Sequence, residues 1–232
     1  LPQIARGQRI KKVERQSKYI LVTLENGGNI LLHLGMSGRL FFSPATPYLH
    51  QKHDHVVISM DRGPLLVFND ARRFGVLDYI PPGQSHKLLK AVGLDPFSKE
   101  LTPTWLHAKA ARLKCDLKAF LMNQKIIAGL GNIYVSEALF RAGLWPQRPA
   151  HSLTLAECKK LIPAIRAVLK AAIEAGGSSL RDYVQADGEL GFFQNKFKVY
   201  DRAGRPCPRC KAPIRRLIQA GRSTYACRTC HK

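Results

Sequence analysis

Acidic residues are the scarce component of this chain. Sixteen Asp and Glu stand against 37 Lys and Arg in 232 residues, a formal charge of +21. That imbalance exceeds what solubility requires and points to a polyanionic partner. No apolar run approaches the roughly 18 residues of a membrane-spanning helix, and no secretory signal pattern is visible. Nucleic acid is therefore favoured over a membrane partner, with a generally basic ribosomal-type protein as the plainer alternative. Methionine is also rare, with three in the chain. One of them, Met36, stands in a glycine-rich turn, where polar residues are the rule. It reads as a core plug or as an exposed apolar wedge.

Disulfide chemistry is the next exclusion. Six cysteines occur, and four are spaced Cys207-x2-Cys210, sixteen residues, Cys227-x2-Cys230. Without a secretory context that spacing predicts one structural Zn²⁺ rather than disulfides. Four thiolates leave no open coordination position, so the metal serves folding and not catalysis. Cys115 and Cys158 lie in helical patterns and read as buried or bystander thiols.

At 232 residues the chain can bury about 70% of its unfolded surface, enough for two modest domains. The pattern predicts an α+β protein. A β-rich, sandwich-like N-terminal domain covers 1–83, a linker 84–103, a helical domain 104–200 and a zinc-finger hairpin 201–232. The stretch from Leu1 to Phe42 reads as sheet. Tyr19–Leu24 and Asn29–Leu34 are rich in β-formers and flank Glu25-Asn-Gly-Gly28, a hairpin signal. A basic run holding Arg9, Lys11, Lys12, Arg15 and Lys18 precedes them and reads as a solvated edge. Strands are also predicted around His55–Met60 and Leu65–Phe68. The histidines of Lys52-His-Asp-His55 lie too close together for one tetrahedral site and read as hydrogen-bonding loop residues. Asn69–Gly75 sets Arg72, Arg73 and Phe74 at a turn. Cations beside a ring suit a loop pushed into a duplex, and equally a salt-bridged surface turn.

In the helical half, Leu113, Leu117, Phe120 and Leu121 repeat at one-face spacing. Gly129 and Gly131 break the pattern, Asn132 is the expected N-cap of a helix over Ile133–Ala142, and Gly143 is its stop. Such a helix start offers free N–H groups to a phosphate. By itself Gly-Leu-Gly-Asn fits an ordinary helical hairpin better. Thr154-x-x-Glu157 is a capping box, and Pro163 inside the following pattern predicts a kink or a later start. Gly176-Gly177 end that helix, and the polar stretch from Ser178 to Phe197 reads as a loop over a site. The last 32 residues hold nine Lys or Arg and one acid, Asp201. Ile214–Ile218 and Ser223–Ala226 would pair as a hairpin whose tip carries Arg222.

Taken in order, these motifs resemble the formamidopyrimidine-DNA glycosylase and endonuclease VIII family of DNA repair enzymes. The carriers are Ser17-Lys-Tyr19, His33-Leu-Gly-Met-Ser-Gly38, Lys52-His-Asp-His-Val56, Ala71-Arg-Arg-Phe-Gly75, Gly129-Leu-Gly-Asn-Ile-Tyr134, Gly176-Gly-Ser-Ser179 and the four cysteines. Lys-His-Asp-His and Gly-Gly-Ser-Ser look like the formamidopyrimidine branch. That resemblance implies a monomeric bifunctional glycosylase/AP lyase acting in the bacterial cytoplasm, at the nucleoid. Its partner would be double-stranded DNA bearing 8-oxoguanine, formamidopyrimidines or abasic sites. It further implies that Lys18 serves β-elimination and Arg222 serves δ-elimination and phosphate binding. Met36, Arg72 and Phe74 would fill the void left by the flipped nucleotide. His53, Arg72, Lys114, Lys118, Asn132 and Arg222 would contact DNA, Lys118 being linked to the damaged base. The loop over about 177–200 would cap the extruded base.

The family's nucleophile is an N-terminal proline followed by glutamate, a terminal amine with pKa near 8. Here the first residues are Leu1-Pro2-Gln3, in which the Pro2 nitrogen is an amide. About forty residues of the family pattern are missing ahead of Leu1: either the sequence starts inside a longer protein, which is the expectation, or this is a shortened form, and the chain without them is expected to be catalytically impaired. The alternative is a non-catalytic zinc-finger protein that binds damaged or bent DNA.

Overall fold

The structure, a computed structural model, describes residues 2–44, 47–179 and 189–232. The chain divides into two compact units. The first comprises Leu1–Lys90 and Ala175–Gln194, the second Ala91–Glu174 and Asn195–Lys232.

The first unit opens with a short helix, α1 (Pro2–Ala5), where sheet was expected. Strands β1 (Ile10–Gln16), β2 (Tyr19–Leu24), β3 (Asn29–His33), β4 (Arg39–Ser43), β5 (Asp54–Ile58), β6 (Leu65–Asn69) and β7 (Val76–Ile80) follow, with a one-turn helix α2 (Lys87–Lys90). They form two antiparallel sheets, ordered β1-β2-β3-β7 and β4-β6-β5. The basic run is strand β1, exposed along its whole length at the sheet edge, as a charged edge strand should be. Leu24, Ile30 and Leu32 form the core of the first sheet, and Leu40 of β4 packs against them. Strand β7 carries a weak signal because Asp78 and Tyr79 interrupt its short apolar run, yet it closes the sheet against β3.

In the second unit, Thr102 caps α3 (Pro103–Ala110), its hydroxyl accepting from Trp105 N–H at 3.2 Å. The next helix is shorter than the sequence periodicity suggests. α4 spans Leu117–Met122 only, because the Asp116 carboxylate caps it by accepting from Ala119 N–H at 2.6 Å. Leu113 therefore lies before the helix and not on its face. α5 runs Asn132–Ala142, with Gly131 rather than Asn132 as its N-cap. Asn132 is instead the first residue of the helix, its Nδ2 donating to the Ser223 carbonyl at 2.9 Å. Gly143 ends α5 in the left-handed region (φ 76°), as expected. α6 (Leu155–Glu174) begins at the predicted capping box: Thr154 Oγ1 accepts from Glu157 N–H at 3.2 Å and Glu157 returns a bond to Thr154 N–H at 2.8 Å. Pro163 lies inside this single helix and does not mark a later start.

α5 and α6 pack against each other, and Val135, Leu139, Leu161 and Ile165 on them are essentially fully buried. Each such side chain contributes on the order of 1.5–3 kcal/mol. Residues 91–103 join this core, with Leu101 buried and Arg166 of α6 donating to the carbonyls of Pro96 and Ser98 at 2.8 and 2.9 Å. The hairpin β8 (Arg215–Gln219) and β9 (Arg222–Ala226) completes the unit. Glu137 of α5 anchors the chain leading into it: the buried carboxylate accepts from the N–H groups of Lys198, Val199 and Tyr200 at 2.8–3.1 Å.

Candidate nucleic-acid interface

Within the first unit, Lys18 stands at the tip of the tight turn joining β1 and β2, beside Ser17 with φ 58°. It is exposed, and it faces His33, whose imidazole is held below its usual pKa by burial and then by the Lys18 charge. His33 Nδ1 accepts from Gly35 N–H at 3.0 Å, which aligns the start of the glycine turn.

That turn presents Met36 outward at 68% exposure, settling the choice between plug and wedge in favour of exposure. Phe74, on the Ala71–Gly75 turn, is 61% exposed. The two turns touch through backbone: a Cβ on Gly35 would lie 2.6 Å from the Phe74 carbonyl carbon and 2.7 Å from Gly75 N. Only glycine permits that approach, and Gly35 also takes φ 65°. Arg72 is exposed between them. His53 is exposed with φ 74°, and Arg73 has φ 56°, so two non-glycine residues hold the uncommon left-handed backbone at this face.

Asp70 organises these turns, and the sequence reading did not single it out. It is 1% exposed. Its carboxylate accepts from Ser37 Oγ and from the N–H groups of Arg72 and Gly75 at 3.3 and 2.7 Å. Burial alone would raise its pKa, but these hydrogen bonds and nearby His55 hold it below the ordinary carboxylate range. His55 Nε2 bonds to the Asp70 carbonyl oxygen at 2.8 Å, in line with a hydrogen-bonding role for that histidine. The only sequence signal for Asp70 was its Asn-Asp turn composition.

In the second unit a different arrangement surrounds Lys118, Asn132 and Arg222. Lys118 is 2% exposed, its ammonium donating to Thr224 Oγ1 at 2.5 Å and to the Ser223 carbonyl oxygen at 3.0 Å. Burial brings its pKa down to about 8, Asp116 opposing the shift and Arg222 adding to it. The same Ser223 carbonyl accepts from Asn132 Nδ2 at 2.9 Å. One oxygen of the hairpin thus fastens both the first helix and the start of the second. Arg222, next in chain to Ser223, is exposed at the hairpin tip, where Ala220 and Gly221 take φ 47° and 71°. Lys118 and Arg222 line a cavity of about 280 Å³ together with Asp116, Met122, Asn123 and Gln219. Lys114 is exposed on the loop before α4 and is not among the residues lining this cavity. Thr224 and Ser223 were missed in the sequence, although strand alternation puts Thr224 on the Arg222 face of the hairpin.

The four finger cysteines lie with their sulfurs within 4.8 Å of one another. Cys207 and Cys230 sulfurs are 3.8 Å apart and those of Cys210 and Cys227 3.3 Å. Sulfurs on a tetrahedral zinc with bonds of ~2.3 Å would be ~3.8 Å apart, so the donor set fits a metal ion and not disulfides. Cys115 is exposed and Cys158 buried, both away from this cluster. Residues 180–188, the middle of the expected base-capping loop, lie outside the described residues. The base of that loop is closed by Phe193 N–H donating to the Gly177 carbonyl at 2.9 Å and Gly191 N–H to Ser179 Oγ at 2.8 Å. No described helix is long and apolar enough to cross a membrane.

Comparison with known proteins identifies relatives along the whole chain. Residues 1–77 match the formamidopyrimidine-DNA glycosylase N-terminal domain and residues 92–184 the formamidopyrimidine-DNA glycosylase H2TH domain. A formamidopyrimidine-DNA glycosylase of Paracoccus denitrificans is 48% identical over 241 residues, covering 100% of this chain and 86% of the relative. One from Cereibacter sphaeroides is 48% identical over 237 residues, covering 97% and 84%. Among solved structures, the MutM (Fpg) protein of Thermus thermophilus superposes with a TM-score of 0.90 at 41% identity, covering 99% of this chain and 85% of that one. The Lactococcus lactis Fpg in complex with DNA containing an abasic site gives 0.89 at 31% identity, covering 97% and 83%.

Proposed function

The chain belongs to the formamidopyrimidine-DNA glycosylase family, and we propose that its two residue clusters grip duplex DNA at an oxidised purine or an abasic position. Its activity is that of a DNA glycosylase/AP lyase in base-excision repair. The observation that carries the DNA reading is the joint attachment of Lys118 and Asn132 to the Ser223 carbonyl, directly beside exposed Arg222. Helix-start amides, an Asn side chain and an Arg at a hairpin tip form a phosphate grip. On this reading Arg222 also assists δ-elimination, and Lys114 and His53 add outer phosphate contacts supported by their exposure.

A base inside a duplex must leave the stack before its glycosidic bond is reachable, at a cost of a few kcal/mol. Exposed Met36 and Phe74 flanking Arg72 suit the task of filling the resulting gap and offsetting that cost. Lys18, exposed at its turn beside His33, is assigned proton transfer in β-elimination. Zinc is the metal that the four-thiolate set favours, held by Cys207, Cys210, Cys227 and Cys230. It would supply folding energy to the hairpin that carries Arg222. The reading extends to a monomer working on nucleoid DNA in a bacterial cytoplasm, as befits its bacterial relatives.

The test compares binding to duplexes with an abasic analogue, with 8-oxoguanine and without damage, followed by borohydride treatment. Lyase chemistry passes through an imine between an amine and the sugar C1′, which borohydride reduces to a stable adduct. Preference for the damaged duplexes is expected, and a trapped adduct is expected from protein that carries the family's N-terminal proline amine. Equal affinity for all three duplexes would overturn the proposal, and preference without an adduct would support the non-catalytic damaged-DNA binder instead.

A further inference from the structure

Met36 and Phe74 belong to different turns. Two apolar side chains work as one wedge only if the turns bearing them keep a fixed spacing, because a gap in a base stack is a rigid slot. The backbone contact at Gly35 sets how closely the turns approach, but a contact does not fix their register. Directional bonds do, and they converge on one side chain.

Asp70 Oδ1 accepts from Ser37 Oγ, the residue next to Met36, and from Arg72 N–H at 3.3 Å. Oδ2 accepts from Gly75 N–H at 2.7 Å, the residue next to Phe74. Ser37 Oγ in turn accepts from Arg72 N–H at 3.2 Å, closing a small ring of bonds between the turns. The Asp70 backbone reaches a third loop, its N–H donating to the His53 carbonyl at 3.0 Å. All the groups that meet the carboxylate oxygens are donors. An amide of the same shape would put N–H donors where one of these oxygens accepts and leave the N–H facing that side without an acceptor. A carboxylate at 1% exposure is costly to bury, and its burial here adds no apolar packing. What it does hold is the geometry of three loops.

We propose that Asp70 is a positioning residue for the base-pair wedge: its buried carboxylate locks the Met36 turn to the Arg72–Phe74 turn, so that both side chains enter an opened base step together. This rests on the reading that Met36 and Phe74 fill the gap left by an extruded nucleotide. Asp70 touches no DNA in this scheme. Its effect passes through the two turns, and Ser37 is its relay to the first of them.

The experiment measures affinity for a duplex with an abasic analogue and for the matching undamaged duplex. A 2-aminopurine beside the analogue reports unstacking by the wedge. Ser37→Ala removes one donor and leaves the carboxylate its two N–H partners, so it is the variant expected to stay folded, with Ser37→Thr as the hydroxyl-retaining rescue. Ser37→Ala is expected to reduce the preference for the damaged duplex about fivefold, the effect of one hydrogen bond of ordinary net strength. Asp70→Asn is expected to reduce it about tenfold or more, with the fluorescence rise falling in parallel. Ser37→Thr should restore both, and binding to undamaged DNA should not change. In a Met36→Ala background the Ser37→Ala effect should vanish, because the wedge it positions is already gone.

Full lesion preference and full fluorescence in Ser37→Ala would overturn the inference, as would independent, multiplying effects of Ser37→Ala and Met36→Ala. Wild-type protein showing no preference for the damaged duplex would instead defeat the functional reading on which it rests.

Discussion

Lys118 is a cation whose hydrogen-bond partners are two neutral oxygens, the Thr224 hydroxyl and the Ser223 carbonyl. Burial without a bonded carboxylate lowers its pKa to about 8, from an ordinary 10.5. The sign of the resulting pH dependence follows from proton counting. Below pH 8 both folded and unfolded chains hold the proton and the burial penalty is full. Between about 8 and 10.5 the unfolded chain binds more protons, so wild-type stability rises with pH in that window. Lys118→Met lacks this dependence. Its stability relative to wild type is expected to decline by roughly 1–3 kcal/mol between pH 7.5 and 10.5, as measured by urea unfolding at each pH. A difference that stays constant with pH would show that Lys118 titrates normally. Sequence periodicity put Lys118 next to a buried helix face, but its depth is a property of the hairpin laid over it.

At the scale of elements, the β8–β9 hairpin shares a core with α5, through Phe140, Ile214 and Tyr225, into which Cys207 and Cys227 of the cysteine cluster also pack. Its strands are five residues each, and Arg215, Arg216 and Ile218 of β8 are exposed. A two-stranded hairpin by itself is marginal at best in water, so both its packing on α5 and the cysteine cluster matter to it. Cys210→Ala is expected to lose the metal and to weaken binding of duplex DNA at least tenfold, since zinc supplies much of such a subdomain's folding energy. Metal analysis and fluorescence anisotropy on the same preparation read both effects. A variant that keeps one zinc per chain and full affinity would remove the finger from the DNA-binding apparatus. The capping box of α6 and the glycine stop of α5 were legible in sequence because they are local signals, whereas the N-cap of α5 is Gly131 and not the expected Asn132. The end of the Leu113 pattern was not, because Asp116 competes for the helix start and wins by capping it.

For the whole molecule the governing quantity is charge. At +21 the chain should associate with duplexes largely through counterion release. With about five phosphates contacted, the log–log slope of affinity against salt is expected to be on the order of −4 to −5. Titrations of an undamaged duplex between low and moderate salt measure it directly, and a flat response would contradict the proposed grip. The slope belongs to the molecule and not to a single site, because both units carry candidate phosphate contacts: His53 and Arg72 in the first, Lys114, Asn132 and Arg222 in the second.

The sequence by itself indicated the nucleic-acid partner, the four-cysteine cluster, the mixed helix-and-sheet fold class and the family. Each of these is written in composition or in short-range spacing, which survive without a fold. It also located Met36, Arg72, Phe74, Asn132 and Arg222, since their motifs are contiguous. Tertiary structure alone decided that Met36 is exposed, that Lys118 is buried against Thr224, and that Asn132 bonds to the hairpin instead of capping its helix. It also decided that Asp70 ties three loops together. These outcomes join residues tens of positions apart, such as Ser37 with Asp70 and Lys118 with Thr224. No local pattern encodes such pairings, because the energy of a buried hydrogen bond depends on which partner the fold brings within reach.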